Sequence, residues 1–163
     1  MKEQTEKPIF EGLSLAEIEE INAEISEYED KMAVSTEALK IIQKYRRWVS
    51  DECLVALAEL LEISPARLEA VATFDNLIYR QPVGKTIIHY CNSVTCWMLG
   101  SEQVRERLCR HLNVELGEMS ADGEYTILPI VCLGACDHAP VVMIGDKLML
   151  DITENAVNEI LGR

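Results

Sequence analysis

Four of the six cysteines stand in two pairs, Cys91-x4-Cys96 and Cys132-x3-Cys136, and each pair begins where a strand-like run ends. The run over 86–90 is β-branched and aromatic and leads directly into Cys91, and the run over 125–131 leads directly into Cys132. Between them, 101–113 has helical period, with Val104, Leu108 and Leu112 on one face. If the two strands are parallel neighbours, their C-terminal ends share one edge of a sheet, where ligands of open α/β sheets gather. That arrangement brings four thiols together from loops far apart in sequence. Gly134 inside the second loop and Gly100 just after the first allow tight turns and let backbone N–H groups approach sulfur.

The rest of the second half fits the same layer. Asp122-Gly123 is a turn signal, 141–144 and 147–150 flank Gly145-Asp146 as a hairpin, and Thr153 is placed to cap a closing helix to Leu161. The order βα, then strands, then α resembles a thioredoxin-like arrangement. The first half has a different texture. Ser14 to Glu17 is a capping box, followed at helical spacing by Leu15, Ile18, Ile21, Ile25, Tyr28 and Met32. The glutamates at 17, 20, 24 and 27 read as a solvated face. Ser35 is placed to cap a second helix carrying Leu39, Ile42, Tyr45 and Val49. Ser50 is placed to cap a third through Leu54, Leu57 and Leu61. Ser64-Pro65 starts a fourth with Leu68 and Val71. The fold expected is α/β (α+β overall): an N-terminal four-helix bundle over 1–80, then a second domain over 81–163.

Composition narrows the function. The chain has 163 residues, 48% apolar and 26% charged, which is ordinary for a globular protein with its own core. Its net charge of −13 repels phosphate backbones and anionic membranes, so nucleic acid and direct membrane insertion are excluded as expectations, and a basic protein partner is favoured. No stretch has the length of a membrane span, and the first residues lack the apolar core of a secretory signal. A cytoplasmic setting follows, where clustered cysteines bind metal or do redox chemistry and seldom form disulfides.

Four thiolates can hold zinc, a [2Fe–2S] or a [4Fe–4S] cluster. Spacing argues against the four-iron run and the plant ferredoxin pattern, and zinc knuckles are usually shorter. Two separated pairs suit two irons, each taking one pair. Zinc and a redox dithiol stay open at this point. Cys53 and Cys109 lie beside leucines on helices and read as small buried hydrophobes. His89 reads as a strand histidine on the same side as Cys91, and His138 as a substitute ligand only if a thiol fails. At Ala139-Pro140 a cis peptide is sterically allowed, with trans the expectation. No phosphate loop, dinucleotide fingerprint or Ser/His/Asp pattern is present.

The chain resembles the family of small thioredoxin-like [2Fe–2S] ferredoxin subunits found in NADH-quinone oxidoreductase (respiratory complex I). The likeness runs through 37–44, Trp48-Val49, Val71-Ala72-Thr73-Phe74 and Arg80-Gln81-Pro82-Val83-Gly84. It continues through Tyr90-Cys91, Ser93-Val94, Cys96, Leu128-Pro129, 132–137 and Ala139-Pro140. The resemblance implies a thioredoxin-like [2Fe–2S] ferredoxin domain over 81–163 with Cys91, Cys96, Cys132 and Cys136 as cluster ligands. It implies an electron-transfer subunit of NADH:quinone oxidoreductase without independent catalysis. Its partners would be a flavin- and NADH-binding subunit, which holds FMN and NADH, and a larger iron–sulfur subunit. Its place would be the inner face of the bacterial membrane, peripheral through the complex. The equivalent subunit of an NAD-linked formate dehydrogenase or hydrogenase is the alternative within the class, and a zinc-stabilised interaction domain the alternative outside it. The family usually has Gly before and Tyr after the Val-Ala-Thr-Phe element; here Ala70 and Asp75 stand there.

Overall fold

A computed structural model describes residues 12–157 and 161. The chain divides between Pro82 and Val83 into two compact units.

The first unit is helical, and its helices start where short polar side chains replace the missing turn. Helix α1, Leu15–Ile25, opens on a capping box: the Ser14 hydroxyl accepts from the Glu17 amide at 3.3 Å, and Glu17 Oε2 accepts from the Ser14 amide at 2.7 Å. Helix α3, Asp51–Leu60, is capped by Ser50, and α4, Pro65–Phe74, by Ser64 with Pro65 in the first turn. Helix α2, Ser35–Arg46, differs from expectation. Ser35 is its first helical residue and gives no cap, because a 3-10 turn over Lys31–Val34 precedes it. The capping is done earlier, by Asp30 accepting from the Met32 amide at 2.9 Å, and the Ser35 hydroxyl donates back to the Met32 carbonyl.

One apolar core serves α1 to α4, with Ile21, Val34, Leu39, Ile42, Leu57 and Leu68 fully buried. Leu15, Tyr28 and Tyr45 lie outside it, nearly half exposed, although helical spacing put them on the apolar face. Helix α1 ends at Ile25, so Tyr28 falls beyond it, and Leu15 sits in a first turn open to water. The Tyr45 ring turns outward and its hydroxyl donates to Glu20 at 2.9 Å. Val49 is buried, but past the end of α2. The segment after α4 is tied back to the helices: Gln43 donates to the Leu77 carbonyl and accepts from the Tyr79 amide, both at 2.7 Å. Asp75 accepts from the Leu77 amide at 2.8 Å, so the departure from the family pattern builds a local turn.

The second unit is a four-stranded sheet in the order β2-β1-β3-β4, with β1 Thr86–Cys91, β2 Tyr125–Ile130, β3 Val142–Ile144 and β4 Lys147–Met149. Strands β1 and β2 are parallel, and β3 runs antiparallel to both β1 and β4. The short helix α5, Val94–Met98, and the longer α6, Ser101–Leu112, form the crossover from β1 to β2. Ile88, Tyr90, Val104, Leu108, Ile127 and Val142 make the core, with Leu112 and Cys109 partly buried against it. Gly84 is where the chain enters beneath β2. A Cβ there would meet the Tyr125 backbone at 2.5 Å, and its amide donates to the Thr126 hydroxyl at 2.8 Å. The Ala139–Pro140 peptide is cis. Beyond β4 the chain makes a 3-10 turn over Glu154–Ala156 with no side-chain cap from Thr153; positions 158–160 of the expected closing helix lie outside the described residues.

Candidate metal centre

Strand register decides where the thiols meet. Cys91 ends β1 opposite Ile130, which ends β2, and Cys132 follows two residues later. Both cysteine loops therefore leave one edge of the parallel pair, and the Asn92 amide donates to the Ile130 carbonyl at 3.1 Å across the two exits. Helix α5 turns Cys96 inward, so Cys91 and Cys96 are both 1% exposed and pack with Val141. Cys132 and Cys136 are exposed.

In the first pair the two thiols lie close enough to influence one another. Burial above all, and then the Cys91 thiol, push the Cys96 thiol up to about 11, against the opposing effect of a hydrogen bond with the Val141 backbone. In the second pair the sulfurs are 3.9 Å apart. The Cys132 contact, chiefly, raises the Cys136 thiol, which also senses Cys91 from the other loop. Gly134, at φ +79°, turns its amide onto the Cys132 sulfur at 3.3 Å. The expected approach of a glycine amide to sulfur is thus present. The Val141 contact carried no sequence signal, because it comes from the far side of the cis peptide.

Among the described residues no three Cys, His, Asp or Glu side chains gather on one metal position. The thiols come in twos, with the exposed sulfurs spaced close to the ~3.8 Å edge of a tetrahedron built on metal–sulfur bonds of ~2.3 Å. Two such pairs from adjoining loops have the donor chemistry that a dinuclear cluster would need, one pair for each metal.

The histidines stand apart from this set. His89 is buried in β1, and burial lowers its pKa. His138 Nδ1 is engaged by Asp151 at 3.0 Å, which raises its pKa. Cys109 lies on α6, away from both loops, and Cys53 belongs to the first unit. Cys53 is more than apolar filler: its sulfur lies 2.9 Å from an Arg46 nitrogen and 3.4 Å from the Gly12 carbonyl.

The model of the thioredoxin-like [2Fe–2S] ferredoxin family matches residues 21–163. The chain belongs to this family. Among relatives of this ferredoxin, an NADH-quinone oxidoreductase subunit of Escherichia coli K12 is 44% identical over 161 residues, covering 99% of this chain and 96% of the relative. The corresponding NADH-quinone oxidoreductase subunit of Pseudomonas aeruginosa is 44% identical over 149 residues, covering 91% and 90%. An NAD+-reducing [NiFe]-hydrogenase in its H2-reduced state superposes with a TM-score of 0.61 at 20% identity over 76% of this ferredoxin. The ferredoxin spans 21% of that longer chain, and the likeness is one of fold.

Proposed function

We infer that this chain is the electron-transfer subunit of the NADH-oxidising module of an NADH:quinone oxidoreductase, with one [2Fe–2S] cluster held by Cys91, Cys96, Cys132 and Cys136. The carrying observation is that both cysteine loops leave one edge of the parallel pair β1 and β2, the Cys132 and Cys136 sulfurs lying 3.9 Å apart. It stands in a chain 44% identical, over nearly its whole length, to a subunit of that enzyme.

When bound, such a cluster supplies a one-electron site. The residues of this chain hold and tune it. Cys91 and Cys96 would hold it with thiols that burial shields from water. The Gly134 amide donates to Cys132 and favours added negative charge on the sulfur, and the backbone contact at Val141 acts the same way on Cys96. Cys132 and Cys136 would hold it with thiols exposed to the outside.

FMN and NADH belong, in this reading, to a flavin-binding partner subunit, with a larger iron–sulfur subunit beside it. No described helix is long and apolar enough to cross a membrane, and in this reading the chain is peripheral, held through its complex. Residues 1–80 act as a four-helix bundle for docking and 81–163 as the ferredoxin domain.

The test is anaerobic purification followed by metal and sulfide analysis and EPR after dithionite reduction. Iron and acid-labile sulfide in equal amounts, with a reduced-state signal, are expected. One zinc without sulfide overturns the reading.

A further inference from the structure

The four thiols assigned as ligands divide by access. Cys91 and Cys96 are each 1% exposed and packed with Val141, whereas Cys132 and Cys136 both reach the surface from one loop. The sulfurs of that exposed pair are 3.9 Å apart. A disulfide needs about 2.05 Å, so they must approach by roughly 2 Å. The loop between them is placed to give way. It runs from the end of β2 at Ile130 to the 3-10 turn Cys136–His138, outside any helix or strand. At its apex Gly134 has φ +79°, and a Cβ built there would meet nothing within 4 Å. The chain at this point is bounded by open space and not by packing. The remaining thiols are held elsewhere: Cys53 in the first unit against Arg46 and the Gly12 carbonyl, and Cys109 half-buried on α6.

We propose that Cys132 and Cys136 are a redox modification site in the chain before loading: they close on a disulfide with each other, which withholds one ligand pair and makes cluster uptake depend on a thiol reductant. This rests on the ligand assignment inferred above. The oxidant is a low-molecular-weight disulfide of the glutathione class. One loop sulfur, as thiolate, attacks it, forming a mixed disulfide and releasing one small thiolate. The other loop sulfur then attacks its bonded neighbour and releases the second small thiolate. The two cysteines lose two electrons and two protons, and the small disulfide takes up both and leaves as two thiols. The short loop keeps the second sulfur beside the first, so this closing step is intramolecular and fast. Exchange needs contact with the attacking sulfur, and burial denies that contact to Cys91 and Cys96, which stay reduced. An exposed disulfide of this kind is of the labile type that a thiol reductant opens again.

The test uses the full-length chain, stripped anaerobically of its cluster with a chelator and incubated with glutathione disulfide while folded. The sample is quenched in acid, unfolded and alkylated. Peptide mass mapping should show one bond, Cys132–Cys136, with Cys91 and Cys96 alkylated. The oxidised chain should take up no iron or sulfide until dithiothreitol is added, read as the return of visible absorbance. Cys132→Ser should instead keep glutathione on Cys136, trapping the intermediate. Glutathione left on both loop cysteines with no internal bond, or a bond that uses Cys91 or Cys96, overturns the proposal while leaving the function standing. An oxidised chain that loads without reductant overturns it too. A reduced wild type that takes up zinc and no sulfide overturns the function inferred above and the role in loading with it, and the mapped bond is read independently of that result.

Discussion

At the residue scale, the six cysteines separate by surroundings. Cys132→Ser should strip or weaken the cluster, seen as lost visible absorbance and iron, because the opposing sulfur would have no partner at 3.9 Å. Cys53→Ser and Cys109→Ser should retain it; equal loss in all three would contradict the ligand assignment. Cys53 instead belongs to a polar knot. Arg46 holds Glu17 with two nitrogens at 2.6 Å each, and Glu17 is 1% exposed. Burial alone would raise the Glu17 pKa. The Arg46 and Ser14 hydrogen bonds outweigh it and hold the carboxyl below the ordinary 4.5. Its contribution to stability is therefore full above that value and lost as pH falls through the lower folded-state pKa. Arg46→Met should cost about 2–3 kcal/mol at neutral pH, less than a fully buried pair because Arg46 remains partly in water. Urea unfolding should show the gap to wild type narrowing in acid, where the stranded carboxyl protonates; a gap independent of pH would reduce the role of Arg46 to packing.

At the scale of elements, the approach to β1 is the tightest point. Gly84→Ala should destabilise the second unit by about 2–3 kcal/mol, since the added methyl meets rigid Tyr125 backbone and neither strand can retreat. Thermal unfolding followed by near-UV circular dichroism checks this, and an unchanged midpoint would show that the strands give way. Helix starts were legible where the cap is a single local contact, as at Ser14, Ser50 and Ser64. Ser35 misled because a 3-10 turn and an αR start look alike in a short polar string, and the deciding cap, Asp30, lies five residues upstream. The cysteine edge was legible because strand-then-thiol occurs twice. The backbone contacts of Val141 and the partners of Cys53 were not, since both depend on chain segments that meet only after folding.

At the scale of the whole molecule, each unit has an apolar core of its own. Residues 83–163 produced alone should fold and take up the cluster, while 1–82 should be helical by far-UV circular dichroism; failure of the first to acquire colour would show that the helices are needed for loading. The parallel pairing of β1 and β2 has one more consequence. Side chains alternate faces along a strand, so a slip of one residue between Cys91 and Ile130 would turn Cys132 away from its companions. The four thiols proposed as ligands would share a cluster only in the native register. On the proposed ligand assignment, cofactor insertion would then be a proofreading step, and the brown colour of a loaded sample an optical count of correctly paired sheets.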